Sequence, residues 1–278
     1  MNYYIADLHF GHRNIISLCN RPFNNVDEMN QTLIDNWNKV VKKNDDVYIV
    51  GDLFFRFQDI ESILSQLKGK KHLIIGNHDS SWISDEVLSK HFVSCDKMLE
   101  IIDNNHRIML CHYPMLSYPK QSRTYMIHGH IHNDTLFDYW HVLVKRKNVL
   151  NAGVDINNFK PVPLSTLIEN NTNYKTNVLN SYPHILLSVR LNQQYCIDYK
   201  IDSIDILSKL KAKLETLGII YLKEGLYKLS NTSQIEHLNE LVNAIKDNPN
   251  ELLLYKNFDL INVDENGCFS YISKLEEK

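Results

Sequence analysis

The chain has 278 residues, 44% of them hydrophobic and 23% charged, enough for one large or two moderate domains and too apolar for a disordered chain. Its net charge of −3 argues against a wholesale electrostatic grip on nucleic acid, though not against a local basic patch. Five scattered cysteines without a C-x-x-C pair exclude a zinc ribbon and a disulfide framework. The start lacks the basic and apolar regions of a signal peptide. No window approaches the roughly 18 uninterrupted apolar residues of a membrane span. These features imply a soluble, cytoplasmic protein without a membrane partner.

In chain order, Tyr3–Ala6 reads as a short strand ending in Asp7-Leu8-His9. The spacing of Met29, Leu33, Trp37, Val40 and Val41 predicts a helix over 28–43, with Asp27 as its N-cap. Val47–Val50 is a strand ending in Gly51-Asp52. Ile60, Ile63, Leu64 and Leu67 form a helical stripe, and His72–Ile75 is a strand running into Gly76-Asn77-His78-Asp79. A helix follows near 84–91, then strands near 97–102 and 107–111, the second ending at His112. Tyr125–Ile127 leads to Gly129-His130-Ile131-His132, and Val149–Asn151 is the last core strand. Strands and helices alternate early and strands dominate later, which predicts an α/β sandwich with some parallel pairing. Residues 169–183, without apolar period, read as a linker. Beyond them, strands at 185–191, 219–222, 226–229 and 252–255 and helices at 204–217 and 233–245 give the order β-α-β-β-α-β. That order predicts a small α+β, ferredoxin-like domain over 184–278.

Thirteen histidines are present, several beside Asp or Gly where a strand stops. Asp7, His9, Asp52, Asn77, His78, His112, His130 and His132 therefore gather at the carboxyl ends of the strands, where open α/β sheets bind ligands. Gly51, Gly76 and Gly129 precede candidate ligands where the backbone must turn sharply or pass close to a metal. Residues two apart, Asp7 with His9 and His130 with His132, share a face in extended chain. Two divalent ions about 3.5–4 Å apart can clamp both oxygens of a phosphoryl displacement. Such a pair needs a bridging carboxylate, one oxygen to each ion, and neutral donors that keep the site open to an anion. Mixed nitrogen and oxygen donors suit manganese, iron or zinc better than calcium or magnesium.

The ordered motifs Asp7-x-His9, Gly51-Asp52, Gly76-Asn77-His78-Asp79, His112 and Gly129-His130-x-His132 resemble those of calcineurin-like metallophosphoesterases. Phe10-Gly11-His12-Arg13-Asn14-Ile15-Ile16 and Cys19-Asn20-Arg21-Pro22-Phe23 resemble its small bacterial and phage members. The resemblance covers about residues 1–168 and departs where Phe54-Phe55 replaces a second acidic or asparagine-bearing motif. It implies a metallophosphoesterase β-sandwich flanked by helices, and a two-metal-dependent phosphoester hydrolase acting as a phosphodiesterase or nucleotide phosphatase. Asp7, His9, Asp52 and His132 would hold the first metal, and Asp52, Asn77, His112 and His130 the second. The ions would be Mn2+, with iron or zinc as alternatives. A metal-bridging hydroxide would attack phosphorus while His78, oriented by Asp79, protonates the leaving oxygen.

Further residues carry two readings each. His12, Arg13 and Arg21 either contact substrate phosphate or pin the loop after the first strand. His128 either supports a ligand from behind or fills the core. Trp82, Tyr113, Tyr118 and Tyr125 read first as core and second as stacking surfaces for a base. Lys145-Arg146-Lys147 reads first as a solvated turn and second as a phosphate patch. The partner expected is a phosphorylated small molecule or nucleotide. A metal-dependent nuclease acting on nucleic acid, or a binding protein that sequesters a nucleotide, is the alternative. The region 185–256 is distantly similar to small ferredoxin-like nucleases of CRISPR adaptation and virulence-associated toxins, without the acidic residue those carry after their first strand. Its stripe Ile206, Leu210, Leu214 and Leu217 suggests a homodimer through this domain or a cap over the substrate.

Overall fold

The computed structural model describes residues 1–278 apart from 138, 232, 233, 266, 267 and 274–278. The chain divides into two compact units, Met1–Val178 and Leu179–Lys278.

In the first unit four strands pair in parallel in the order β1 (Asn2–Ile5), β2 (Asp46–Ile49), β3 (Lys70–Ile74) and β4 (Phe92–Asp96). A second sheet holds β5 (Met98–Asp103), β6 (His106–Cys111), β7 (Thr124–His128) and β8 (Val149–Asn151), with only β5 antiparallel to its neighbour. Alternation along the strands assigns the faces. Tyr4, Ala6, Val50 and Ile74 meet Ile108, Leu110, Ile127 and Leu150 of the other sheet in one buried cluster. Ile5, Val47, Ile49 and Leu73 point the opposite way, onto the apolar face of helix α1 (Val26–Val40) through Met29, Leu33 and Trp37. The unit is thus an α/β sandwich with parallel strands, as expected.

Helix α1 starts earlier than the expected cap at Asp27. The Asn25 side chain accepts the Glu28 N–H, and the Glu28 carboxylate reaches back to the Asn24 N–H at 2.9 Å. Glu28, not Asn30, completes this capping arrangement. Strand β4 went unseen in the sequence because its residues are only partly buried and follow no apolar alternation.

The expected linker at 169–183 is largely helix. Helix α2 runs Leu164–Asn180. Its core contacts come mainly from its first turns, through Leu164, Leu167 and Ile168, and polar groups anchor much of the rest. Asn171 Nδ2 donates to Asn151 O (3.0 Å), Tyr174 to Asn133 O (3.0 Å), and Lys175 Nζ to Arg146 O (2.8 Å). A helix held by polar side chains leaves no apolar period to read.

The second unit has a five-stranded antiparallel sheet in the order β10 (Ile220–Lys223), β11 (Leu226–Leu229), β9 (His184–Leu191), β12 (Tyr255–Val263) and β13 (Phe269–Ser273). The first four follow the ferredoxin-like arrangement, and β13 extends it by one edge strand. Helices α3 (Ser203–Thr216) and α4 (Gln234–Asp247) pack on one face through Leu210, Leu214, Leu238 and Val242. Ser233, expected to open the second helix, lies outside the described residues. Gly218 caps α3 at φ +72° as expected. The strand expected at 252–255 is displaced. Asn248 caps a turn of helix at Pro249–Leu252, and β12 starts only at Tyr255. The stripe Ile206, Leu210, Leu214 and Leu217 packs against this unit's own core, Leu210 and Leu214 buried and Ile206 and Leu217 partly so. No helix among the described residues is long and apolar enough to cross a membrane.

Candidate metal centre

The site forms where β1, β2, β3, β6 and β7 stop. The next few residues of each leave the sheet in sharp turns, and five candidate ligands sit in left-handed backbone: Asp7 (φ 57°), His9 (53°), Asp52 (55°), His130 (73°) and His132 (49°). Residues with a Cβ rarely adopt this region, and the strain clusters at functional sites. The pairs two apart are therefore not presented by extended chain, as the sequence suggested, but by tight turns beyond the strand ends. The glycines act by close approach. A Cβ on Gly129 would lie 2.8 Å from Asp7 Oδ2, and one on Gly76 would lie 2.6 Å from the Asp52 N.

Asp52 is the centre of the cluster. Its Oδ1 accepts the His78 N–H at 2.9 Å. Its Oδ2 lies 3.5 Å from His9 Nε2, 3.5 Å from His112 Nε2 and 3.9 Å from His78 Nε2. One carboxylate oxygen, rather than one on each side, thus faces both groups. Asn77 Oδ1 lies 3.0 Å from His112 Nε2 and 3.0 Å from His130 Nδ1. On the other side Asp7, His9 and His132 place ligand atoms within 4.8 Å of one another. Asp7 accepts the His130 N–H with both oxygens at 3.0 Å.

Hydrogen bonding defines the protonation of these rings. Val50 O can only accept, so His112 Nδ1 donates to it (2.9 Å). The lone pair of His112 Nε2 then faces the oxygens of Asn77 and Asp52, an arrangement that calls for a proton or a cation between them. With protein charges alone, burial opposes the imidazolium, but Asp52 and Asp7 push its pKa up to about 9. His9 Nε2 is one of two buried side-chain polar atoms that lack a hydrogen-bond partner among the described residues. A buried orphan costs about 1–3 kcal/mol unless something binds it. Donor atoms about 2.1 Å from one ion sit roughly 3.0–4.2 Å apart, so separations of 3.5 Å fit the grip of a transition metal. The donor set, the orphaned nitrogen and the strained turns all fit bound metal ions.

Asp79 has a different place from the one expected. It is fully buried and accepts from the backbone N–H groups of Asp52 (2.9 Å), Leu53 (3.0 Å) and Gly76 (2.7 Å) and from Trp82 Nε1 (3.0 Å). Burial raises its pKa while these donors oppose the rise. No bond joins it to the His78 ring among the described residues, so it clamps two ligand-bearing turns together and does not orient His78. The His78 ring instead meets Phe55 edge-on at 4.9 Å, and Phe55 stacks on His12 at 3.8 Å. The apolar residue that breaks the sequence motif is therefore a wall of the site.

Arg21, expected among substrate contacts, is buried and saturated. It pairs with Asp155 through Nε (2.8 Å) and Nη2 (3.1 Å), and donates to Leu8 O (2.9 Å) and Asp7 O (2.7 Å). The loop-pinning role is the correct one. Asp155, missed in the sequence, also accepts from His132 Nδ1 at 2.9 Å and fixes which nitrogen His132 turns to the site. Burial alone would raise the Asp155 pKa, but Arg21 and His132 hold it far below the usual carboxylate range. A grouping of Cys19, His132 and Asp155 could also hold an ion. There the Arg21 guanidinium already occupies the Asp155 oxygens, so we assign these residues to support of His132.

His12 stands at the site, its Nδ1 3.4 Å from His9 Nδ1, and burial pushes its pKa down to about 4. Arg13 is exposed, and no contact among the described residues places it in the cluster. His128 is core, donating from Nδ1 to Gly129 O at 2.8 Å. Trp82 and Tyr118 are also core, whereas Tyr113 is 49% exposed and lies 4.6 Å from the His130 ring.

Fold and site together define an α/β protein with a buried Asp/His cluster able to hold metal ions. No protein-family profile matches the chain. An uncharacterised protein of Methanocaldococcus jannaschii is 39% identical over 170 residues, covering 60% of this chain and 89% of that protein, and the chain belongs to its family. The Gene 66 protein of Mycobacterium phage L5 is 36% identical over 81 residues, which span 28% of this chain and 39% of the phage protein. Among solved structures, a protein of unknown function from Aquifex aeolicus aligns with 29% identity and a TM-score of 0.46, covering 58% of this chain and 94% of that one. The nuclease MPE of Pseudomonas putida aligns with 18% identity and a TM-score of 0.30, over 47% and 60% of the two chains.

Proposed function

We propose that the first unit is a calcineurin-like metallophosphoesterase that hydrolyses a phosphodiester or nucleotide with two divalent metal ions. The observation that carries this reading is Asp52 Oδ2, 3.5 Å from both His9 Nε2 and His112 Nε2. A carboxylate oxygen shared between two buried imidazoles is what a two-ion site requires and what a metal-free core would avoid. Asp7, His9, Asp52 and His132 would hold one ion, and Asp52, Asn77, His112 and His130 the other. Bound Mn2+, the ion that this donor mixture suits with iron and zinc as alternatives, would acidify water and neutralise phosphate charge.

The chain's own residues supply the rest. Two carboxylates in the cluster leave two divalent ions with surplus positive charge, which favours an anionic substrate. His78 is half-exposed, its Nε2 3.9 Å from Asp52 Oδ2, and would donate a proton to a leaving oxygen while its backbone N–H fixes Asp52. Phe55 packs edge-on against that ring. A binding protein that only sequesters nucleotides would not need such a proton donor.

The test compares hydrolysis of bis-p-nitrophenyl phosphate and p-nitrophenyl phosphate with added manganese by wild type and Asp52→Asn. Loss of turnover in the variant supports the reading, and the ratio of rates separates diesters from monoesters. Turnover that survives Asp52→Asn would refute it. A His78→Ala variant that binds product normally but turns over slowly would assign the proton donor.

A further inference from the structure

A second candidate site lies at the other ends of the same strands. A cavity of about 510 Å3 is walled by Lys39, Lys42, Lys43 and Lys68 above a floor of Val41 and Gly69. The lysines come from two segments, one at the end of α1 and one just before β3, so the chain has folded them together. None of the four forms an ion pair with a carboxylate among the described residues. Lys68 Nζ makes a long contact with Asn38 O at 3.3 Å. The carboxylate at the rim, Asp45, already accepts the Lys42 N–H (2.8 Å) and the Met1 amino group (3.0 Å).

The frame beneath these charges is fixed. Asn38 Nδ2 donates to Gln66 O (2.8 Å), the Lys68 N–H donates to Asn38 Oδ1 (3.0 Å), and the buried Trp37 Nε1 donates to Lys68 O (2.8 Å). Gly69 has φ +90°, and a Cβ there would lie 2.7 Å from Val41 Cγ1. Four cations without ion-pair partners held around one groove repel one another, although the chain as a whole has a net charge of −3. An anion removes the repulsion.

We propose that this groove docks the phosphate backbone of a nucleic acid, apart from the metal centre. The lysines are exposed point charges along an open groove, without the buried donors that would enclose a small anion, and this suits a backbone that tracks across them. Strands of four to five residues separate the groove from the metal centre by roughly 15 Å at about 3.3 Å per residue. A polymer can occupy both places and a mononucleotide cannot. The proposal concerns binding and stands without the phosphoesterase reading; where that reading also holds, it makes the substrate a polymer.

The test is fluorescence anisotropy of a labelled oligonucleotide of about 20 nucleotides with the full chain in EDTA. Four phosphate contacts predict a log–log salt slope near −3, a loss of about 50- to 150-fold in affinity between 50 and 200 mM salt. Replacing the four lysines with glutamate should weaken binding at low salt at least about 30-fold and flatten the slope, with the melting temperature and bis-p-nitrophenyl phosphate hydrolysis unchanged. Binding that ignores the charge reversal would overturn the proposal. Tighter binding to phosphatidylserine vesicles than to the oligonucleotide would overturn it too, in favour of a membrane surface. Absence of diester turnover by wild type would count against the phosphoesterase reading only.

Discussion

Replacing Arg21 with methionine tests how the metal centre is held in place. Arg21 and Asp155 are almost wholly buried, with side-chain exposures of 0% and 1%, so no solvent screening weakens their interaction. Methionine fills similar volume but strips the buried Asp155 carboxylate of its guanidinium, leaving it to His132, and leaves Asp7 O and Leu8 O without that donor. Removing one partner of a buried pair costs about 3–5 kcal/mol. The lost backbone contacts lie beside Asp7 and His9, so the left-handed turns should loosen as well. Guanidinium denaturation in EDTA should show a stability loss of about 3–5 kcal/mol, and manganese binding should weaken about 10- to 100-fold. The double variant Arg21→Met with Asp155→Leu should regain part of that stability, because no unpaired charge remains, while metal affinity stays low. A single variant that loses less than about 1 kcal/mol would refute the assignment of Arg21 as the central pin.

Three other outcomes follow from the same geometry. Asp79→Asn replaces two acceptor oxygens with one and turns an NH2 group toward backbone donors, so thermal denaturation should show a loss of about 2–4 kcal/mol. His128 is neutral in the fold, its pKa pushed by burial down to about 3 from an ordinary value of 6.5. The unfolded chain takes up a proton first as pH falls, so stability is full above pH 6.5 and declines toward pH 3. Between pH 7 and pH 5 this residue should account for about 2 kcal/mol, and in EDTA His128→Gln should lose correspondingly less than wild type over that interval. Gly76→Ala places a methyl against the Asp52 backbone, which predicts at least about a tenfold loss of manganese affinity by calorimetry.

That Asp7, His9, Asp52, Asn77, His112, His130 and His132 would gather was legible because most of them follow a short apolar run or a glycine, a pattern that needs only strand ends to be recognised. The orientation of the ligands was not legible. Residue type does not announce a left-handed turn at a histidine, so Asp7-x-His9 and His130-x-His132 read as extended chain. Arg21 was ambiguous because a guanidinium fork fits phosphate and carboxylate equally. Asp155 lies on a helical turn beyond β8 instead of directly at the strand end, although Gly153-Val154-Asp155 echoes Gly51-Asp52. Helix α2 was hidden for the opposite reason: its anchors are Asn171, Tyr174 and Lys175, and polar anchoring leaves no hydrophobic rhythm. In the second unit the strand order was readable from its short apolar runs alternating with helical stripes, whereas the final edge strand follows a long strand whose start was misplaced.

The left-handed backbone at five candidate ligand positions has an evolutionary consequence. Each such residue costs roughly 1–2 kcal/mol relative to a conformation it prefers. Exchanging any of them for glycine would relax the turn and remove a donor at once. Selection for stability alone would therefore erode this centre, and descendants relieved of its chemistry should drift toward glycine or asparagine at positions 7, 9, 52, 130 and 132 before their cores change. A relative that keeps all five side chains in these turns is one in which the site is still in use.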